Sequence, residues 1–164
     1  MTKKKRTPAI EGWFTMDGDP ALLGTRCKEC GNLFFPREEM FCRNPDCAGT
    51  EFDEVQIGRR GRLWSFTNNC YAPPAPYVAP TDPFEPYAIA AVELEDEKMV
   101  VLGQVVPGVD IDSLEAGQEM ELVRGTLFED DENEYVVWKW KPAQEAGGRE
   151  ETEAVGREER RDAR

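Results

Sequence analysis

From residue 61 onward, the pattern of hydrophobic and polar positions is that of short β-strands. Five runs, rich in β-branched and aromatic residues, are separated by turns and polar stretches. Runs of this kind between turn residues are typical of strands. The sequence therefore predicts five strands in this part of the chain, at residues 61–70, 87–95, 98–106, 119–128 and 135–141.

Two glycines inside these runs, Gly103 and Gly125, predict bulges or bends in the strands. Five short strands with such curvature fit a small closed barrel, and the OB-fold is the commonest design of that kind. An open β-sandwich is the alternative architecture. Between the third and fourth runs, residues 107–117 are expected to hold one helical turn capped by Asp112.

Upstream of the predicted barrel, four of the five cysteines form two pairs. Cys27 and Cys30 are separated by two residues, and Cys42 and Cys47 by four. A closely spaced pair places two sulfurs at two corners of a tetrahedron, and four thiolates leave a zinc ion no open position. We therefore predict a structural Zn²⁺ site in a zinc ribbon. Iron in the same cage and a pair of disulfides are the alternatives.

Hydropathy and charge narrow the expected location and partners. No apolar run approaches the ~20 residues needed to span a bilayer. The basic start of the sequence is not followed by the apolar stretch of a signal peptide. We expect a cytoplasmic protein without a membrane partner, and in that reducing compartment paired cysteines are more often metal ligands than disulfides. The formal net charge of −13 disfavours binding to the phosphate backbone of a nucleic acid.

The chain contains no histidine. This excludes Ser-His and Cys-His nucleophile pairs and an imidazole general base. Cys70 is the one cysteine outside the two pairs. We expect it to have a structural, partly buried role at the end of a strand. We therefore predict no catalytic residues in this chain.

A long connection, residues 71–86, separates the first two predicted barrel strands. It contains six prolines, which keep a chain extended and lower the entropy cost of ordering it. A connection of this length in a compact domain is usually functional or disordered. Its aromatic residues are of the type that interfaces favour, and we predict that they contact a partner or line a ligand site. They are Tyr71, Tyr77 and Phe84, joined by Tyr87 at the start of the next strand. The alternative is a loop folded back over its own barrel.

The order of motifs along the chain resembles one known family. The similar stretches are LLGTRCKECGNLFFP at 22–36, GRLWSFT at 61–67, PYAIAAVELE at 86–95 and VVLGQVV at 100–106. Together they resemble the thiolase-associated family with a rubredoxin-like zinc ribbon and an OB-fold. The resemblance covers roughly residues 10–142.

The resemblance implies both a fold and a function. Members are accessory subunits of thiolase-fold enzymes, among them lipid-transfer-protein-like aldolases of steroid side-chain breakdown and acyl-CoA thiolases. Their barrel helps to hold the coenzyme A thioester, while the chemistry belongs to the partner. For this chain the resemblance implies a heteromeric complex, expected to be a heterotetramer, that cleaves a carbon–carbon bond by a retro-aldol reaction or by thiolysis.

The densest basic stretch of the predicted folded part is formed by Arg59, Arg60 and Arg62. Coenzyme A needs cations for its phosphates, and we predict that these arginines contact it. Trp64 and Phe66 follow on alternating positions, and we expect them in the barrel core.

The predicted organisation is mostly β. A helical or extended leader spans 1–24, a four-cysteine zinc ribbon 25–58, an OB-fold barrel 59–142 and a disordered tail 143–164. The tail has almost no apolar residues and cannot bury a core of its own.

Three functional hypotheses follow from this organisation. The leading one is a non-catalytic accessory subunit of a thiolase-fold enzyme. The alternative is a module that binds single-stranded nucleic acid, since zinc ribbons and OB barrels often do so. The third is a stand-alone enzyme.

Overall fold

The structure, a computed structural model, describes residues 4–143. This range is nearly all β and contains no α-helix. Within it, no helix has the length and apolar character that crossing a membrane requires. The leader, expected to be helical or extended, is extended and contains no helix from residue 4 to residue 24. Of the predicted tail, residues 143–164, all but Ala143 lie outside the described residues.

The described part of the chain contains nine strands and one short 3-10 helix, joined by loops and turns. The strands are β1 (Lys5–Pro8), β2 (Leu22–Cys27), β3 (Leu33–Phe34), β4 (Phe52–Ile57), β5 (Arg60–Asn69), β6 (Tyr87–Leu94), β7 (Met99–Val105), β8 (Glu119–Glu129) and β9 (Asn133–Pro142). The five strands predicted from the hydrophobic pattern correspond to β5 to β9.

Strands β5 to β9 form a closed barrel. Antiparallel pairing joins β5 to β6, β6 to β7, β8 to β5 and β8 to β9. Parallel pairing of Gln104 and Val105 in β7 with Lys139 and Trp140 in β9 completes the ring. The closed five-stranded barrel is therefore confirmed, and the open sandwich is excluded. Strand β1 adds to the barrel by parallel pairing with β9.

The inner face of the barrel is a continuous apolar core. Trp140 in β9 is its largest fully buried side chain, and it packs among residues from all five barrel strands. Gly103 in β7 makes room for it: a Cβ at this position would lie 2.8 Å from Cδ1 of Trp140. Gly103 thus serves close packing. Gly125 lies next to a bulge between Thr126 and Phe128, where the sequence predicts a bulge or bend.

The ribbon is a separate small sheet in which β2 lies between β3 and β4. An aromatic cluster connects this ribbon and the leader to the barrel. The ring of Trp138 in β9 lies 5.9 Å from that of Trp13, 5.9 Å from Phe14 and 5.8 Å from Phe35, which directly follows β3. Aromatic pairs at such distances contribute stability beyond the area they bury.

Two expectations about side chains are wrong. Trp64 is 65% exposed instead of lying in the barrel core. It falls in a bulge between Leu63 and Ser65, and a bulge shifts the alternation of inward and outward positions. The helical turn is present at Ile111–Ser113, but Asp110 caps it, with Oδ1 accepting from the N–H of Asp112.

The two tryptophans provide a matched test of the aromatic cluster. Trp138→Ala is expected to lower the free energy of unfolding by about 3–5 kcal/mol, because it removes a buried ring that three aromatic residues contact. Trp64→Ala, on the exposed bulge, is expected to change it by no more than about 0.5 kcal/mol. Urea unfolding followed by circular dichroism measures both. Equal losses for the two variants would contradict the cluster's role.

Candidate functional site

The four paired cysteines come together in one cluster. The Sγ atoms of Cys27, Cys30, Cys42 and Cys47 all lie within 4.8 Å of one another. Two of the separations are 3.8 Å, for Cys27 and Cys47, and 3.5 Å, for Cys30 and Cys42. Four sulfurs about 2.3 Å from a zinc ion form a tetrahedron with edges of about 3.8 Å. The cluster therefore fits a tetrathiolate metal site.

The same distances exclude the disulfide alternative. A sulfur–sulfur bond is about 2.05 Å long, and all five cysteines of the chain are free. With four thiolates and no other donor, the site has no open coordination position, so its metal is structural.

Two glycine-containing loops hold the cysteines in place. Cys27 ends β2, and its carbonyl accepts from the N–H of Gly31, whose φ is 75°. In the second loop the N–H of Cys42 donates to the carbonyl of Gly49 at 2.8 Å. A Cβ on Gly49 would lie 2.8 Å from Sγ of Cys27 and 3.3 Å from Sγ of Cys47. Position 49 therefore has to be glycine for the sulfurs to close on one point.

Protons and the metal compete for these sulfurs. A hydrogen bond from the backbone N–H of Asn32 lowers the pKa of the Cys30 thiol to about 7. Burial raises the pKa of the Cys42 thiol to about 12. At neutral pH a metal ion therefore has to displace at least the Cys42 proton, and its affinity falls as the pH falls.

The three predicted coenzyme A contacts lie together at the start of β5, but two of them have acidic partners. Nη1 of Arg59 lies 3.2 Å from Oδ2 of Asp19, and Nε of Arg62 lies 2.7 Å from Oε1 of Glu95. Arg60 is exposed, and among the ion pairs of residues 4–143 none includes it. Of the three, Arg60 thus has the least neutralised charge.

Three of the four predicted interface aromatics pack against one another. The rings of Tyr77 and Tyr87 are stacked 6.3 Å apart, and Phe84 contacts Tyr87 edge-on at 6.0 Å. Tyr71, in contrast, is 72% exposed. The proline-rich connection thus lies against the barrel, where Tyr77 and Tyr87 line a cavity of about 700 Å³. Partner contact by these aromatics stays a prediction.

Sequence reasoning missed one surface and misjudged one cysteine. Trp64, Val100 and Leu102 are large apolar side chains exposed on the outside of the barrel. Val100 and Leu102 alternate with buried Val101, but residues 99–102 are all apolar, so the sequence does not show which of them face outward. The bulge that exposes Trp64 also leaves no signal in the sequence. Cys70 is exposed and lies one residue beyond the end of β5, so its expected partial burial is wrong.

Both modules match models of known protein domains. The ChsH2 rubredoxin-like zinc ribbon domain matches residues 17–53, and the ChsH2 C-terminal OB-fold domain matches residues 54–124. A DUF35 domain-containing scaffold protein of Methanothermobacter thermautotrophicus is 32% identical over 83% of this chain and 97% of its own length. The chain belongs to the DUF35 family. The match to the zinc ribbon domain, together with the cluster of four Sγ atoms, supports structural zinc at this site.

Other relatives of this chain are parts of enzymes. The benzoylsuccinyl-CoA thiolase subunit BbsA of Thauera aromatica is 34% identical over 66% of this chain and 66% of its own length. A chain in the solved structure of an Ltp2-ChsH2(DUF35) aldolase has a TM-score of 0.55 and 25% identity. The similarity covers 74% of this chain and 84% of that one.

The spare cysteine provides a control for the zinc site. Purified wild-type protein and Cys70→Ser are each expected to contain one zinc ion per chain, whereas Cys42→Ser loses most of the metal because a serine hydroxyl does not replace a thiolate. Elemental analysis by mass spectrometry measures the content. Equal zinc in all three proteins, or iron in place of zinc, would contradict the assignment.

Proposed function

We propose that this DUF35 protein is a non-catalytic accessory subunit of a thiolase-like enzyme acting on an acyl-CoA. The proposal rests on the match of both modules to subunits of a thiolase and an aldolase, in a chain that has no histidine. The partner supplies the catalytic groups, and this chain supplies binding surface. The reaction is cleavage of a carbon–carbon bond, either by thiolysis or by a retro-aldol step of the steroid side-chain type.

The assembly we propose is a cytoplasmic heterotetramer of two such subunits and two thiolase-fold subunits, the latter of the lipid-transfer-protein-like type. Zinc has a structural role in it and takes no part in the reaction, because four thiolates leave the ion no position for substrate.

The exposed apolar face of the barrel is the proposed docking surface for the thiolase-fold partner. Strand register places Ser65 of β5 beside Ala91 of β6 and Ala91 beside Leu102 of β7. Trp64, adjacent to Ser65, and Leu102 therefore lie two strands apart on the outer face, and both are more than 60% exposed. Large aromatic and aliphatic side chains in such a position are what the buried centre of an interface requires. Tyr71 is proposed as a further contact from the proline-rich connection.

Arg60 is the proposed contact for the phosphates of coenzyme A. Arg59 and Arg62 extend the same basic stretch, but their acidic partners offset much of their charge. Glu95, Asp96 and Glu119 share a cleft of about 200 Å³ with Arg60 and Arg62. These three carboxylates would repel a phosphate inside the cleft, so we place the contact on the exposed guanidinium of Arg60, outside the cleft.

A charge placed on the docking surface tests the proposed assembly. When the chain is co-expressed with a tagged thiolase-fold subunit from the same organism, wild-type protein is expected to co-purify with it. Leu102→Glu is expected to abolish co-purification, because it buries an unpaired carboxylate in the interface. Met40→Glu makes the same change on the ribbon, where Met40 is 75% exposed, and is expected to keep the complex. The proposal fails if wild-type protein does not co-purify or if the two variants behave alike.

Steady-state kinetics of the complex test the phosphate contact. Arg60→Glu is expected to raise KM for the acyl-CoA about three- to tenfold with little change in kcat, since a charge-assisted contact to a part of the substrate remote from the reaction is lost. Lys5→Glu is the control, because Lys5 lies at the opposite end of β9 from Arg60. Lys5 is paired with the start of β9, whereas Arg60 is paired with the part of β8 that lies beside the end of β9. An unchanged KM in Arg60→Glu would sink the assignment.

A further inference from the structure

A cavity of about 700 Å³ lies between the proline-rich connection and the outer wall of the barrel. One wall comes from the connection, including Tyr77 and Thr81, and the other from the barrel strands and the segment that carries the 3-10 turn. Ligand sites are typically about 300–1,000 Å³ in volume, with mainly apolar walls and a few placed polar groups. The cavity is of this size, and its polar groups include a buried lysine and two buried hydroxyl groups.

The most unusual of them is a buried lysine. Lys139 in β9 is only 5% exposed, yet it lines the cavity. Its Nζ donates to Oε1 of Gln104, which it faces across the β7–β9 pairing, at 2.9 Å. In the part of the chain that the structure describes, no carboxylate lies within ion-pair distance of it. A buried ammonium with one neutral acceptor is costly, and burial lowers the pKa of Lys139 accordingly.

The barrel is shaped to admit this side chain. A Cβ on Gly125 in β8 would lie 2.9 Å from Cδ and 3.1 Å from Cε of Lys139. Any other residue at position 125 would therefore crowd the lysine stem. The neighbouring Lys141, on the same side of β9, instead has an ordinary ion pair, with Nζ 3.4 Å from Oε2 of Glu121.

Two buried hydroxyl groups also line the cavity. Oη of Tyr77 and Oγ1 of Thr81 are buried and make no hydrogen bond within residues 4–143. Most buried polar side-chain atoms have a partner, so each exception needs an explanation. Burial raises the pKa of Tyr77 to about 12, and its hydroxyl therefore remains a donor at neutral pH. One cavity thus contains three donor groups that a bound acceptor would satisfy.

We propose that this cavity binds a small organic monocarboxylate, whose carboxylate pairs with Lys139 and accepts from Tyr77 or Thr81 while its hydrocarbon body lies against the apolar wall. Val105, Ile111, Leu127 and Phe128 form part of that wall. The exposed residues Glu85, Asp110 and Glu129 also line the cavity, and they would repel a ligand with several negative charges. A ligand with one carboxylate on an apolar body matches the apolar wall and carries only one negative charge. The inference does not depend on the proposed assembly.

Binding of octanoate to the full-length, zinc-loaded protein tests this inference, with octanamide as the uncharged match. Isothermal titration calorimetry is expected to show octanoate binding that Lys139→Met weakens about tenfold or more, because a buried charge pair is lost. Lys141→Met, which removes the neighbouring lysine, is expected to leave octanoate affinity unchanged. Octanamide is expected to bind wild-type protein and Lys139→Met with similar affinity.

A second variant keeps the test decisive if Lys139→Met does not fold. Tyr77→Phe combined with Thr81→Val removes both unpaired hydroxyls from the connection without loss of bulk, and it is expected to weaken octanoate binding several-fold. The inference is wrong if wild-type protein binds no octanoate up to about 10 mM, if neither the lysine nor the hydroxyl variant weakens binding, or if inorganic phosphate competes as well as octanoate does.

Discussion

The packing of Trp138 against the leader and the ribbon determines how the parts of this protein are joined. The ribbon is too small to bury a core of its own, so the metal gives it internal order, but a metal site does not fix where the ribbon sits. Its place is set by Phe35, which meets Trp138 on β9, while Trp13 and Phe14 of the leader close over the same ring. Zinc therefore folds the ribbon, and Trp138 attaches it to the barrel.

A barrel held in this way has its inner face filled by core residues around Trp140, which leaves the outer face for binding. Two parts of that outer face differ sharply in character. Trp64 and Leu102 form an open apolar surface, suited to another protein. Lys139 and Tyr77 line a cavity between the proline-rich connection and the barrel, suited to a small ligand. We therefore propose that the described residues offer two distinct recognition surfaces, one for another protein and one for a small ligand.

Features that depend on local sequence could be predicted, and features that depend on distant contacts could not. The barrel strands and the cysteine cluster follow from alternation and spacing, which neighbouring residues determine. The run that becomes β9, with Lys139 between two tryptophans, looks like a strand with its lysines in solvent. Lys139 is nevertheless buried, because its stem packs over Gly125 of β8 and its Nζ donates to Gln104 of β7. The acidic partners of Arg59 and Arg62 likewise come from other parts of the chain, and the bulge at Trp64 leaves no mark in the sequence.

We propose that this subunit completes a catalytic partner and leaves the chemistry to it. The decisive experiment titrates the zinc-loaded chain into a fixed amount of a thiolase-fold subunit while cleavage of an acyl-CoA is followed. We expect no turnover from the chain alone, little from the partner alone, and a rate that rises until the two are equimolar and then stays constant. Turnover by the isolated chain, or a partner whose rate is indifferent to its addition, would be incompatible with an accessory role.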